Sequence, residues 1–174
     1  MVAGVNREIL EAHKMELQVS IINRQRTRKA DARRLREITL LLLDGLQITS
    51  AEFGVNLVAD AEMTRVNQTF LQHEGSTDVI TFDHSEHSSS PQPTAHRPQL
   101  HGELFICVDE AIRQARRFRT TWQAELVRYI VHGVLHLLGH DDQRAVDRRK
   151  MKREENRLVR QLARQFDFTR LTRG

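Results

Sequence analysis

The chain has 174 residues, 39% hydrophobic and 29% charged, a balance too apolar for general disorder and long enough to bury a core as one compact domain. Its single cysteine, Cys107, excludes an internal disulfide, and its strongest apolar run, Ile38 to Leu43, is far shorter than the roughly 20 residues of a membrane span. A formal net charge of +4 favours phosphate-rich partners modestly and does not by itself establish RNA binding. The expectation is a single cytoplasmic domain over residues 1–174, with no membrane contact.

In chain order, Met15 to Asn23 alternates apolar and polar positions and carries Val19, Ile21 and Ile22, which predicts a first strand. Asp31 is placed to cap a helix in which Leu35, Ile38, Leu41, Leu42 and Leu46 repeat at helical spacing, until Gly45 and the polar Gln47 to Ser50 interrupt them. Phe53 to Val58 reads as a second strand. Asp60 stands as the cap of a helix carrying Met63, Val66 and Phe70, Gly75 breaks the pattern, and Val79 to Phe82 is a third strand. Pro91, Pro93, Pro98 and the Ser88 to Ser90 run predict a long exposed loop at 83–101. No rigid element fixes the spacing of its histidines, His84, His87, His96 and His101, so they read as solvated loop residues.

Beyond the loop, Glu103 to Val108 is a fourth strand with Cys107 as buried packing, and Asp109 caps a helix through Phe118. Thr121 opens a helix from Trp122 to about Leu138, and a last charged helix runs from Arg144 towards Gln165. Strands interleaved with helices predict an α+β or α/β fold, a small mixed four-stranded sheet packed with about five helices, whose strand order the pattern does not reveal. Basic residues concentrate at Arg24 to Arg36 and along the last helix, including Arg148 and Lys152, as solvated faces or phosphate-binding ones.

The chemistry concentrates between Val131 and Asp142. His132 and His136 stand four apart, on one face of the predicted helix, with Cβ atoms about 5 to 6 Å apart, so two imidazoles can converge on one ion. With nine histidines in the chain such a pair is weak alone, but Val131, Val134, Leu135, Leu137 and Leu138 make the setting apolar, and buried imidazoles need partners. Those partners are an ion or each other. A catalytic zinc site takes three protein ligands and keeps one position open. His140 on a continued helix would lie about 12 Å along the axis from His132. Gly139 instead suits a left-handed helix end that turns the chain back and delivers Asp142. The spacing matches the metzincin proteases, except that Gly133 replaces the glutamate they use as base.

The stretch His132-Gly133-x-Leu135-His136-Leu137-x-Gly139-x-Asp141 resembles the signature of the YbeY endoribonuclease family. Asn67-x-x-Phe70, Thr77-Asp78-Val79-Ile80-Thr81-Phe82 and Gly102-Glu103-Leu104-x-Ile106 follow the family in the same order. The resemblance implies a single-domain, metal-dependent endoribonuclease of single-stranded RNA. Its implied roles are ribosomal RNA maturation, notably at the small-subunit 3′ end, and ribosome quality control. Asp142 stands where the signature has a third histidine, and its negative charge would make a bound water less acidic than three imidazoles do. Leu71 stands where the family has an arginine thought to line the RNA groove. A leucine cannot grip phosphate, so Leu71 reads as core or groove-wall packing, with Arg65 or His73 as compensating candidates.

The site so read is one Zn2+, or another divalent transition ion, held by His132, His136 and Asp142. No general base is assignable. Asp141 either accepts a hydrogen bond from a ligand histidine or caps the next helix. Glu125, two turns before His132, reads first as a dipole partner of its helix and second as a cleft contact. The rival readings are a non-catalytic ribosome-assembly factor with a structural metal and a metallopeptidase, the latter weakened by Gly133. No protein partner is assignable.

Overall fold

The computed structural model describes residues 17–85 and 99–172. Met15 of the expected first strand, the Ser88 to Ser90 run, the three loop prolines, His87 and His96 lie outside them. Four strands, β1 (Leu17–Asn23), β2 (Ser50–Val58), β3 (Val79–Asp83) and β4 (Gln99–Cys107), form one sheet in the order β1-β2-β4-β3. β1, β2 and β4 run parallel, and β3 is antiparallel to β4 at the edge. The sheet is therefore mixed, and five α-helices pack with it in an α+β arrangement.

A parallel β1–β2 pair needs a crossover, and α1 (Ala32–Gly45) supplies it. Asp31 accepts the Arg34 N–H at its start, and Leu35, Ile38, Leu42 and Leu43 turn one buried stripe to the sheet. Alternation then divides the strands between two faces. Val55, Leu57, Leu104 and Ile106 join the larger core with α1, α4 (Trp122–Leu137) and α5 (Ala145–Gln165). Val58, Ile80 and Cys107 join Met63 of α2 (Asp60–Val66) in a smaller one. The chain's end returns to the start of α1 through the Leu171 carbonyl, which accepts the Asp31 N–H at 2.8 Å.

Several expected boundaries move for identifiable reasons. β4 begins at Gln99, four residues earlier than its composition suggests, because pairing with β2 on one side and β3 on the other holds its polar Gln99, His101 and Gly102 in the ladder. Asp83 and His101 thus belong to strands, not to the expected loop. Asp60 does not cap α2: its carboxylate receives two hydrogen bonds from Arg113, both at 2.7 Å. Asp109 does not cap its own helix, α3 (Val108–Phe118), but accepts the Asp60 N–H of α2 at 2.8 Å. The helix expected to run through Phe70 narrows to α2 and widens into a π-helical turn at Asn67–Leu71, held by Asn67 Nδ2 donating to the Gly75 carbonyl at 2.9 Å.

The basic stretch near α1 is more than a solvated face. Arg36 donates to the Val19 carbonyl, Arg34 to the Arg170 carbonyl, and Arg24 pairs with Glu62.

Candidate metal centre

Helix α4 carries the site. Thr121 caps it by accepting the Ala124 N–H, and Leu126, Ile130, Val131, Val134 and Leu135 anchor its apolar side in the core. Glu125, Tyr129, His132 and His136 recur at helical spacing on one other stripe, and the first three line a groove against α5. Gly133 allows the helix to approach β4: a Cβ there would lie 2.4 Å from Leu104 Cδ2. The position where a metzincin carries its base therefore faces the sheet, with no room for a glutamate.

The end of α4 is a Schellman turn, with Gly139 at φ +87°, its N–H donating to the His136 carbonyl and the His140 N–H to the Leu135 carbonyl. This reversal brings Asp142 back, its Oδ2 3.7 Å from His136 Nε2. One donor atom each from His132, His136 and Asp142 lie within 4.8 Å of one another. His140 contributes its backbone carbonyl, which accepts from His136 Nδ1 at 3.0 Å. Asp141 meets neither expectation: its Oδ1 accepts the Gln143 N–H, and α5 starts after Arg144.

The ring partners decide what the two imidazoles offer. A carbonyl only accepts, so His136 Nδ1 carries its proton. His132 Nδ1 faces Glu155 Oε2 at 3.1 Å. Burial would raise the Glu155 carboxyl, but the hydrogen bonds from His132, Lys152 and Arg128 outweigh it and bring the pKa down to about 2, so this group too only accepts. With both Nδ1 atoms committed to acceptors, the Nε2 atoms are the ring positions left to bind, and they face each other at 3.1 Å. Two lone pairs so placed repel unless a proton or a cation lies between them. Burial, and next the adjacent His132, lower the His136 pKa and disfavour a proton on that ring. The separation is close to the roughly 3.3 Å imposed by two 2.05 Å bonds at a tetrahedral angle, so the donor set fits a transition ion.

Glu155 is the functional residue the sequence reading missed. It is 3% exposed and takes Arg128 and Lys152 besides His132. A signal existed: Met151, Glu155, Leu158, Val159 and Leu162 share the buried stripe of α5, and a carboxylate on an apolar stripe needs a reason. Glu125 is likewise buried, accepts the Thr120 hydroxyl and lines the groove. Leu71 is 44% exposed, which rules out core packing, and neither it nor Arg65 nor His73 lines the groove beside His132. Arg128, Arg148 and Lys152 do. His84 and His101 sit away from the centre, stacked edge to face at 5.7 Å and paired with Glu103 and Glu52.

Cys107 is buried, but it is more than packing. Its thiol donates to Asp60 Oδ1 at 3.1 Å and accepts from Ser76, and with Asp109 these residues make a second set of clustered donors.

The family model described as Endoribonuclease YbeY matches residues 9–163. The chain belongs to the YbeY family. Among curated relatives named Endoribonuclease YbeY, one from Anaeromyxobacter sp. is 39% identical over 76% of this chain, although the match spans only 65% of that protein's length. One from Syntrophotalea carbinolica is 31% identical over 85% of this chain and 97% of its own length, and one from Chlorobium luteolum is 32% identical over 85% and 100%. A solution structure from Thermotoga maritima aligns with TM-score 0.57 over 83% of this chain and 89% of its own, at 24% identity, a likeness of fold alone. No helix among the described residues is long and apolar enough to cross a membrane.

Proposed function

We propose that His132, His136 and Asp142 hold one divalent transition ion, Zn2+ first among them, and that this centre cleaves single-stranded RNA. Membership of the YbeY family makes the chain an endoribonuclease, and the proposal extends this to ribosomal RNA, at the 3′ end of the small-subunit RNA and in ribosome quality control, within the cytoplasm. The observation that carries the metal reading is the pair of Nε2 atoms at 3.1 Å, each ring committed through Nδ1 to an acceptor.

When bound, such an ion supplies Lewis acidity towards a phosphodiester oxygen or a water. The chain's own residues do the rest. Glu155 fixes the tautomer and orientation of His132, and the His140 carbonyl does the same for His136. Asp142 adds a negative oxygen on the groove side. Arg128, Arg148 and Lys152 set a cationic edge along which an RNA backbone is attracted. Gly133, packed on Leu104, removes the support for a peptidase.

The test is metal content and cleavage measured together. Freshly purified protein is expected to carry one equivalent of zinc or a similar ion and to cleave a single-stranded RNA. His136→Ala and Asp142→Ala are expected to lower both. Full cleavage by metal-stripped protein would refute the mechanism. A coordinatively closed ion with no exchangeable position would favour the assembly-factor reading.

A further inference from the structure

The groove that His132 and Asp142 line is a cavity of about 550 Å³, within the roughly 300–1,000 Å³ common for small-ligand sites. Asp78 at the start of β3 and Gln114 of α3 line one side, Lys152 and Asn156 of α5 the other, with Glu125 and Tyr129 of α4 between them. Tyr129 is 5% exposed, and its hydroxyl is the one buried side-chain polar atom among the described residues without a hydrogen-bond partner. A buried hydroxyl left unpaired is costly, and its survival in a cavity wall points to a ligand that completes it.

We propose that this cavity is a nucleobase subsite adjoining the metal centre, and that the base it takes is guanine. The inference rests on the endoribonuclease reading and adds a sequence preference to it. The cavity is polarised. Arg128 leans towards α5, donating to Glu155 and Asn156, and with Lys152 it places positive charge where a phosphate would lie. Asp78 and Glu125 make the other part of the wall acidic, which repels phosphate and favours a group rich in N–H donors.

Each carboxylate is anchored mainly through one oxygen. Asp78 Oδ1 accepts the Val79 N–H at 2.9 Å and the Thr77 hydroxyl at 3.1 Å. Glu125 Oε1 accepts the Thr120 hydroxyl, while Oε2 lies 3.9 Å from Arg128 Nε. The Asp78 carboxylate is therefore the freer acceptor. Guanine offers N1–H and the N2 amino group side by side on its Watson–Crick edge, next to the O6 acceptor. Carboxylate and phenol match that order, the first accepting and the second donating. Burial raises the Tyr129 pKa, so its hydroxyl keeps the proton it donates. Uracil presents a single N–H between two carbonyls, so where guanine places its amino group a uracil carbonyl would meet a carboxylate oxygen.

The experiment measures binding of 5′-GMP, AMP, CMP and UMP to the metal-loaded protein by calorimetry, then cleavage of single-stranded oligonucleotides that each carry one guanosine. GMP is expected to bind most tightly and UMP most weakly. Tyr129→Phe is expected to weaken GMP by about three- to tenfold, the loss of one hydrogen bond, and to leave AMP, which carries an amino group where guanine has O6, unchanged. Glu125→Gln, a second variant in the same wall, is expected to narrow the GMP-to-UMP ratio. In the cleavage assay Tyr129→Phe raises KM for the guanosine site with kcat unchanged, which a purely structural tyrosine would not do. Equal binding of all four nucleotides, or an unaltered GMP preference in both variants, overturns the subsite. Guanine selectivity without any RNA cleavage would remove the nuclease reading alone, and cleavage indifferent to base would remove the subsite alone.

Discussion

Among the described residues, two clusters bring three possible metal ligands within 4.8 Å: His132, His136 and Asp142 at the end of α4, and Asp60, Cys107 and Asp109 where α2 meets α3. By proximity they are equals. In the second, every donor already has a partner: Arg113 grips both oxygens of Asp60, Asp109 receives the Asp60 N–H, and the thiol donates to Asp60 and accepts from Ser76. The arginine is the cation of that cluster. In the first, hydrogen bonds engage only the Nδ1 atoms and leave two Nε2 lone pairs opposed at 3.1 Å. What separates the candidate metal centre from the structural knot is therefore the direction and occupancy of the lone pairs, not their spacing.

The largest expected effect tests that distinction directly. His136→Ala should lose stoichiometric metal and RNA cleavage together, whereas Asp60→Asn should keep both, as read by elemental analysis and a gel assay. Loss of metal from Asp60→Asn would reverse the assignment of the two clusters. Next in size is Glu155→Gln, which keeps the shape but offers His132 a neutral partner and leaves Arg128 and Lys152 without their carboxylate. Removal of such a supporting carboxylate costs about 10- to 100-fold in metal affinity or activity. A zinc competition titration that gives wild-type affinity would show that Glu155 serves packing alone.

The difference between the clusters also explains what was legible in the sequence. The helices and strands were readable because single elements carry their own periodicity, as α1 does with Leu35, Ile38 and Leu42. His132, His136 and Asp142 were legible because they lie on eleven consecutive residues whose geometry is local: one helical turn and a glycine reversal. Glu155, from another helix, was not, since nothing in residue spacing states that α5 lies against α4. The same applies to Asp60 and Asp109. Each sits in the first turn of a helix, just past the cap position, and each was claimed by a residue some 50 positions away in the chain. The strand order β1-β2-β4-β3 is a tertiary choice of the same kind.

Stability changes should be smaller and should separate the faces of α4. Gly133→Ala drives a methyl group to 2.4 Å from Leu104, which is buried, so overpacking of about 1–3 kcal/mol is expected in a urea titration. Tyr129→Phe, on the groove side, removes an unpaired hydroxyl and should be neutral or stabilising by about 1 kcal/mol. A strongly destabilised Tyr129→Phe would mean that the hydroxyl has a partner in the folded protein.

The smallest effect concerns the arginine-filled cluster in acid. The hydrogen bonds from Arg113 hold the Asp60 carboxyl well below the ordinary carboxylate range, against the opposing influence of burial. A depressed folded pKa contributes stability that is fully present above the unfolded value of about 3.9 and is lost as pH falls through the folded value. Both side chains are nearly half exposed, 42% and 48%, so solvent screening limits the contribution to about 1 kcal/mol or less. Asp60→Asn should therefore lie below wild type by that amount at pH 7, and the gap should begin to close only below about pH 4. Urea midpoints at pH 7, 4 and 2 read this out. A gap that stays constant to pH 2 would mean that the Asp60–Arg113 pair acts through shape and not through charge, and the cluster would then need another account of why its donors are closed to a metal.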